Sequence, residues 1–297
     1  MGRRWLLQVV VGAVCLVMAP NTPRLTSAPV PATLNSNALR LVDPPDDVEW
    51  ESWARTDPIR FLDACRLHVQ SHYHGYHATL VKQERIGGVL HPTEEIAVTV
   101  REKPFAVLMI WKHGARKILG TTVRGTLFVA GQNDGKMIVW RPDALASFLR
   151  FYAVSPSDTQ ARAASRYSIT ESSLSHTVDR TFQAWSAAAE VGRLHCEYQG
   201  KRAIAEVGGR VCHVIQRTCD PVEVDSFLRD DPRQNRSPDS GAAFRTVTIM
   251  IDAETRLQVG SELHRADGER IGTYYFRAVV QNPQVAPDQF TPAALKD

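Results

Sequence analysis

Residues 105–111, FAVLMIW, are seven consecutive apolar side chains that follow the turn-forming Pro104. Successive side chains of a strand point to opposite faces of its sheet. One face would therefore carry Phe105, Val107, Met109 and Trp111, and the other face would carry the three residues between them. A strand with one wet face has polar residues at every second position, and this run has none. The run predicts a strand that is covered on both faces.

Short extended segments separated by turn residues make up most of the chain after residue 75. Gly87-Gly88 and Asn133-Asp134-Gly135 are examples of reversals that need positive φ angles. Links this short connect antiparallel neighbours. The sequence predicts about eleven strands, over residues 76–86, 95–103, 105–112, 117–130, 136–140, 194–199, 202–207, 210–218, 244–251, 257–264 and 270–280.

Two segments have the periodicity of amphipathic helices. An Asp-Pro pair at residues 57–58 is typical of a helix start, and apolar residues then recur on one face as far as Val69. In the second segment the apolar residues recur every three or four positions between Leu174 and Ala189. We expect Thr170 to be the N-cap of this second helix.

Residues 142–154, PDALASFLRFYAV, are apolar on nearly every side if they are helical. Leu145, Phe148 and Leu149 share one face of the predicted helix with Tyr152. A helix of this kind is either buried in the core or covers an apolar ligand as a lid. The pattern is compatible with both interpretations.

The order of these elements favours a mainly β fold of the α+β class. Strands, helices and strands follow one another without the alternation that is typical of parallel sheets. We expect one large curved antiparallel sheet of about eleven strands, because a twisted sheet of that size curls towards a barrel. The predicted architecture is an unclosed half-barrel with a few helices on its concave side. These helices either fill the concave face as a core or leave an apolar trough.

The N-terminus has the pattern of an export signal. Arg3 and Arg4 precede an apolar run over residues 5–19, which is shorter than the roughly 20 residues that span a bilayer. We expect a signal peptide over residues 1–32, with an uncleaved anchor as the alternative. The predicted location of the protein is periplasmic or extracellular.

The remainder of the chain is predicted to be a short linker and one domain. Residues 33–49 are rich in small and polar side chains and read as a flexible linker. Residues 50–297 are expected to form a single domain, in which the polar segment 220–243 is an exposed loop insertion.

The composition argues against a nucleic-acid partner and for free thiols. The formal net charge is +3, and the predicted signal peptide, with three arginines and no acidic residue, accounts for it. A near-neutral mature chain lacks the excess of positive surface charge that nucleic-acid binding needs. Cys65, Cys196, Cys212 and Cys219 remain, and their spacing in the predicted strands is too wide for Cys212 to bridge either Cys196 or Cys219.

Four histidines, His68, His72, His74 and His77, crowd the end of the first predicted helix. His68 and His72 are one helical turn apart, as in many zinc sites, but no carboxylate at a suitable spacing accompanies them. The common signatures of hydrolases, zinc enzymes, thiol oxidoreductases and nucleotide-binding proteins are absent from the sequence after the signal peptide. We therefore predict no catalytic residue, no metal and no cofactor.

Charged residues alternate on two neighbouring predicted strands. They are Lys82, Glu84 and Arg85 on one strand and Arg101, Glu102 and Lys103 on the next. We expect cross-strand ion pairs on the solvent face of the sheet. The alternative is that Arg85 and Arg101 contact a lipid head group or an acidic partner.

Residues 79–111, TLVKQERIGGVLHPTEEIAVTVREKPFAVLMIW, resemble a bacterial family of exported domains of unknown function. Typical of that family are a phrase like VKQER, a strand, the phrase REKPF and an apolar strand that ends in Trp. The similarity extends to GQNDGKMIVW, SRYSITESSL and EVGGRVCHVI at residues 131–140, 165–174 and 206–215. The segment 220–243 and the histidines near residue 70 depart from the family pattern.

This family is in turn similar to the LolA and LppX carriers of lipoproteins and lipids. The resemblance implies an unclosed barrel whose concave apolar face holds acyl chains beneath helical lids. It predicts a non-catalytic, membrane-proximal but not integral protein that binds a lipid or the acyl chains of a lipoprotein. The predicted lining is Phe105, Val107, Met109, Trp111, Leu145, Phe148 and Leu149.

Two other functions remain compatible with the sequence. One is a structural or protein-interaction module of the cell envelope with a completely filled sheet and an envelope protein as its partner. The other is a secreted hydrolase or metal protein that uses the histidine cluster.

Overall fold

The computed structural model describes residues 46–118, 120–224, 243–286 and 288–296. The predicted signal peptide and nearly all of the predicted linker lie outside the described residues. The same is true of residues 225–242 in the predicted loop insertion. Residues 220–224 of that insertion continue the preceding strand instead of leaving the sheet.

Four α-helices are described: α1 (Asp47–Thr56), α2 (Pro58–His72), α3 (Thr159–Ala164) and α4 (Leu174–Glu190). Helix α2 begins as predicted, because the Asp57 carboxylate accepts a hydrogen bond of 3.0 Å from the backbone N–H of Arg60. Helix α1 was not predicted, since only Trp50 and Ala54 of this helix are buried and its apolar pattern is short.

The predicted cap of α4 is wrong by one turn. Ser173 Oγ accepts a hydrogen bond of 3.1 Å from the His176 backbone N–H, so Ser173 is the N-cap. Thr170 lies in a separate 3-10 turn, Ile169–Glu171. Serine is a somewhat better N-cap than threonine, and a tertiary contact also favours this start, because the Leu174 N–H donates to the Tyr76 hydroxyl at 3.1 Å.

Eleven strands form the continuous path of one antiparallel sheet, in the order β10-β11-β12-β13-β14-β1-β3-β4-β7-β8-β9. The short β2 pairs with β1, and β5 and β6 form a separate ribbon. The strands are β1 (Gly75–Ile86), β2 (Val89–Leu90), β3 (Glu94–Arg101), β4 (Ala106–His113), β5 (Lys117–Ile118), β6 (Thr121–Thr122), β7 (Gly125–Val129), β8 (Met137–Trp140), β9 (Phe151–Val154), β10 (His195–Ile204), β11 (Arg210–Val224), β12 (Ala243–Asp252), β13 (Gln258–His264) and β14 (Arg270–Gln281).

The predicted fold class is confirmed. Strands β10 and β9 are the two ends of the path, and no pairing joins them within the described residues, so the sheet is not closed. The large antiparallel sheet with a few helices is an open half-barrel.

The predicted helix over residues 142–154 is wrong. Residues Ser147–Leu149 form a single 3-10 turn, and β9 follows it. Strand β9 pairs with β8, which places Ala153 opposite Ile138. Aromatic and β-branched residues favour a strand, and pairing with β8 satisfies backbone groups that a helix would satisfy internally.

Strand β4 is covered on both faces, as the apolar run predicts. Val107 and Met109 belong to the main core. Ala106 and Leu108, on the opposite face, belong to a second, smaller core together with Leu127, Val129 and Leu295. The two sets alternate along the strand, because successive side chains point to opposite sides.

A short 3-10 helix, Pro292–Lys296, supplies the cover of the second face. Its Leu295 is fully buried. A Cβ at Gly125 would lie 2.8 Å from Leu295 Cδ2, so the glycine gives this helix room to approach β7.

The main core joins the sheet to α1, α2 and α4. Phe61 of α2 is fully buried, and its ring lies 5.4 Å from the ring of His213 on β11. Tyr73, which ends α2, donates a hydrogen bond of 2.9 Å to the carbonyl of Thr255. Trp185 of α4 is 2% exposed. The helices are therefore part of the core and not appendages of the sheet.

Replacement of Phe61 by alanine should destabilise the fold strongly. We expect a loss of about 3–5 kcal/mol in the free energy of unfolding, because a large buried ring leaves a cavity. The matched control is Leu67→Ala on the same helix, where the side chain is 52% exposed, and we expect a loss of less than about 1 kcal/mol. Urea denaturation measures both; equal losses would contradict the packing of α2 against the sheet.

Candidate functional site

A cavity of about 910 Å³ lies between the sheet and a cover. The cover consists of residues 155–172 and helix α4. The sheet side of the cavity is mainly apolar and includes Leu80, Ile96, Met109, Val123, Met137, Val139 and Phe276. Ligand pockets usually measure roughly 300–1,000 Å³. The space is thus large enough for a small-molecule ligand, and the sheet is not completely filled by its own helices.

Three buried side chains beside the cavity, Lys82, Glu84 and Glu94, form a charged network with the largely buried Arg116. Lys82 Nζ lies 2.8 Å from Glu84 Oε2 and 3.8 Å from Glu94 Oε1. Arg116 Nε lies 2.9 Å from Glu94 Oε1, and Arg116 Nη2 lies 3.5 Å from Glu84 Oε2. Because two cations face two carboxylates, the network balances its own charge, which a buried group of ions requires.

The pairing of the strands places these side chains together. Lys82 on β1 lies directly opposite Glu94 on β3 and, on the other side, opposite Tyr274 on β14. The Trp111 Nε1–H donates a hydrogen bond of 2.7 Å to Glu94 Oε2. The network therefore joins β14, β1, β3 and β4 across the sheet.

Glu84 also binds the cover to the sheet. Its carboxylate accepts hydrogen bonds from the Tyr274 hydroxyl at 2.8 Å, from Ser165 Oγ at 3.3 Å and from the Arg166 backbone N–H at 3.2 Å. Ser165 and Arg166 belong to the cover, whereas Tyr274 belongs to β14. One fully buried carboxylate thus holds both walls of the cavity.

The environment keeps Glu84 ionised at neutral pH. Burial by itself raises the pKa of Glu84, but the charge and hydrogen bond of Lys82, the hydrogen bond from Tyr274 and the charge of Arg116 outweigh it. The resulting pKa lies below the ordinary value of 4.5. Burial raises the pKa of Tyr274, so its phenol stays a hydrogen-bond donor.

The expectation that Lys82 and Glu84 lie on the solvent face is wrong. Both point to the concave side, as Leu80 does, because side chains two positions apart share a face. This two-residue periodicity in the sequence therefore indicated the face on which both side chains lie. Glu94 shares its face of β3 with Ile96 in the same way, although the predicted strand began one residue later. Arg116 had no such signal, because it lies in a loop after β4.

The seven predicted ligand-binding residues lie in different places. Met109 and Trp111 line the cavity. Val107 is fully buried in the main core, and the ring of Phe105 packs 5.1 Å from the ring of His176 on α4. Leu145, Phe148 and Leu149 lie on the exposed turn before β9, with Phe148 78% exposed, and they are not part of the lining.

The histidines at the end of α2 make local contacts. The rings of His68 and His72 stack at 4.2 Å, and His77 Nδ1 lies 2.8 Å from Thr99 Oγ1. In the part of the chain that the structure describes, no three His, Cys, Asp or Glu side chains are placed to share a metal ion.

The four described cysteines are free, as expected. They are Cys65, Cys196, Cys212 and Cys219. Burial raises the pKa of each thiol, so none is an ionised nucleophile at neutral pH. Among the described residues, no helix combines the length and the apolar character that crossing a membrane requires.

The profile of a protein family described as "Protein of unknown function (DUF1571)" matches residues 73–295. The chain belongs to the DUF1571 family. This confirms the assignment to a family of domains of unknown function that the sequence suggested. Comparison of the DUF1571 chain with curated proteins found no significant match.

Several solved structures are similar to the DUF1571 chain at low identity. The lipoprotein LppX of Mycobacterium tuberculosis is 12% identical, with a TM-score of 0.42, over 78% of this chain and 99% of that chain. A DUF1329 family protein from Desulfovibrio piger is 11% identical, with a TM-score of 0.38, over 81% and 100%. The MucA/MucB complex of Pseudomonas aeruginosa is 16% identical, with a TM-score of 0.41, over 81% of this chain and 62% of that chain.

Replacement of Glu84 by glutamine should destabilise the DUF1571 chain. The substitution leaves Lys82 and Arg116 without a buried countercharge, and we expect a loss of about 3–5 kcal/mol in unfolding free energy at pH 7. The lowered pKa of Glu84 means that its contribution is present above the unfolded-state pKa near 4.5 and is lost as the pH falls through the folded-state pKa. The difference between wild type and variant should therefore shrink below that pH in denaturation curves.

The matched control is Glu269→Gln. Glu269 pairs with Arg85 at 3.2 Å, but its side chain is 51% exposed, and we expect a change of less than about 1 kcal/mol. A Glu84→Gln variant as stable as this control would show that the network does not hold the fold together.

Proposed function

We propose that this protein is a non-catalytic, extracytoplasmic protein that binds a hydrophobic ligand, either a lipid or the acyl chains of a lipoprotein. The observation that carries the proposal is the cavity of about 910 Å³ with an apolar sheet wall. The export pattern at the N-terminus supports a periplasmic or extracellular location. In this role the protein works near a membrane without being integral to it.

The apolar wall can supply the binding energy for an alkyl chain. Each buried CH₂ group contributes about 0.8 kcal/mol, so ten buried groups contribute about 8 kcal/mol before the ordering of the ligand is subtracted. Met109 and Trp111 would contact the ligand directly, since both line the cavity. Phe105 and Val107 would support that wall from the adjoining core.

The cover explains how a ligand is kept from water. Residues 155–172 and α4 lie over the cavity, and the Glu84 hydrogen bonds to Ser165 and Arg166 fix part of this cover on the sheet. These residues, and not residues 142–154, would act as the lid, which was one of the two interpretations of that segment.

The alternative is a structural module whose sheet is filled by its own helices, with an envelope protein as the partner. A cavity of this size does not favour that function, because filled cores hold few voids larger than a water molecule. The two functions differ in what co-purifies with the protein. Native mass spectrometry followed by organic extraction should find a bound lipid; a protein partner without lipid would favour the alternative.

Filling of the cavity should abolish binding. Ala184 of α4 lines the cavity, whereas Ala189 on the same helix is exposed and outside the lining. We expect Ala184→Phe to lower the affinity for an apolar fluorescent dye at least tenfold, because the ring occupies the ligand's space. Ala189→Phe should bind the dye like the wild type.

Thermal denaturation of both variants shows whether the fold is intact. If folded Ala184→Phe and Ala189→Phe bind the dye equally well, the dye does not enter the cavity and the proposed function is wrong.

A further inference from the structure

Cations predominate among the described residues that line the cavity. Seven of these residues are Lys or Arg and three are Glu, and the adjoining Glu84 is a fourth carboxylate, whereas the chain as a whole has 35 Lys and Arg against 32 Asp and Glu. The excess is therefore a property of the cavity. Apolar walls combined with an excess of cations fit an apolar molecule that carries a negative charge.

Part of this positive charge is already balanced by the protein. Lys82 and Arg116 face Glu84 and Glu94 in the charged network. Arg180 lies 3.9 Å from the carboxylate of Glu171. Each of these cations has a carboxylate partner in the fold.

Arg217 on β11 is paired with a carboxylate as well, but one of its buried donors has no acceptor in the part of the chain that the structure describes. It lines the cavity and is 1% exposed. Its Nη2 lies 2.5 Å from Glu223 Oε1. Its Nε is buried and has no hydrogen-bond partner within the described residues. A guanidinium has five N–H donors, and a buried donor without an acceptor is costly, so the Arg217 Nε–H lacks the acceptor that its burial requires.

Among the described residues, the side chains opposite Arg217 on the neighbouring strands offer no carboxylate to this N–H. Val247 lies opposite Arg217 on β12, Leu263 follows on β13, and both line the cavity. On the other side, Cys196 lies opposite Arg217 on β10. Burial raises the pKa of the Cys196 thiol to about 12, so this neighbour is neutral and supplies no negative charge.

We propose that the ligand of the cavity is an anionic amphiphile and that Arg217 binds its head group, a carboxylate or a phosphate. The inference rests on the proposed function and names the class of ligand. An oxygen of the head group accepts the Nε–H hydrogen bond, since carboxylates and phosphates match the planar guanidinium. The alkyl chain lies along the apolar wall that begins at Val247 and Leu263.

A series of ligands with one chain length tests the charge preference. The ligands are dodecanoate, dodecyl phosphate, the neutral methyl dodecanoate and the cationic dodecyltrimethylammonium, each titrated below its micelle concentration against the apolar dye. We expect at least one anion to bind about tenfold or more tightly than the ester, and the cation to bind most weakly. The ratio between dodecanoate and dodecyl phosphate identifies the head group.

The results separate this inference from the proposed function. Equal affinity for the ester and both anions would overturn the role of charge and leave the proposed function intact. Failure of every ligand to displace the dye, together with the absence of dye binding, would overturn both.

Substitution of Arg217 tests the residue itself. Arg217→Gln should lower the affinity for the preferred anion about tenfold and leave the affinity for the ester unchanged. The control is Arg245→Gln on the adjacent β12, where the side chain is 36% exposed, pairs with Asp220 at 3.0 Å and lies outside the lining. This control should bind all ligands like the wild type.

Binding of the ester reports that the variant is folded. If Arg217→Gln does not bind the ester, Arg217→Lys decides the question. It keeps the charge but loses the planar fork, and it should weaken the binding of the anion and not of the ester. The decisive variant is the one that still binds the ester. If its ratio of anion affinity to ester affinity equals that of the wild type, Arg217 does not bind the head group.

Discussion

A twisted antiparallel sheet of eleven strands cannot stay flat, and its curvature creates a concave face that the helices of this protein cover only in part. Helices α1 and α2 bury one area of that face through Trp50 and Phe61. The area under α4 and residues 155–172 is left as the cavity. The position of the cover, the location of the buried charges and the proposed binding of a ligand all follow from this incomplete filling.

The charged network fixes the position of residues 155–172 on the sheet, which apolar contacts alone would not do. Residues 155–172 contain few fully buried side chains, so hydrophobic burial gives them little preference for one position on the sheet. The Glu84 carboxylate provides directional hydrogen bonds to two residues of this segment and keeps its charge balanced by Lys82 and Arg116. The network thus fixes the shape of the cavity at the cost of buried ions.

Much of the sheet was predictable, because alternation and turn residues are local signals. The two-sided burial of β4 and the start of α2 at Asp57 are confirmed. Lys82 and Glu84 lie two and four positions after Leu80, so alternation placed them on the same face as Leu80. Their charge pointed instead to the solvent-exposed face. Long-range contacts left no such pattern: the pairing of β9 with β8 overrode the helical spacing of residues 145–152.

The candidate site was predictable only where it lies on a regular strand. Met109 and Trp111 could be placed by alternation, whereas Arg116 and Ser165 lie in irregular segments whose position depends on partners far away in the sequence. Arg217 shares its face of β11 with the buried His213 and Ile215, but Cys212 and Val214 on the opposite face are buried too, so alternation did not mark it. Its lack of a full set of acceptors is visible only in three dimensions.

The packing of Leu295 behind Gly125 has a consequence for the order in which the molecule matures. Synthesis proceeds from the N-terminus, so β4 and β7 emerge from the ribosome long before the residues that seal their outer side. Until Pro292–Lys296 has been made, Leu108 and Leu127 lack the cover that Leu295 provides. The second face of β4 therefore gains its full cover only after the strands of the half-barrel have been made.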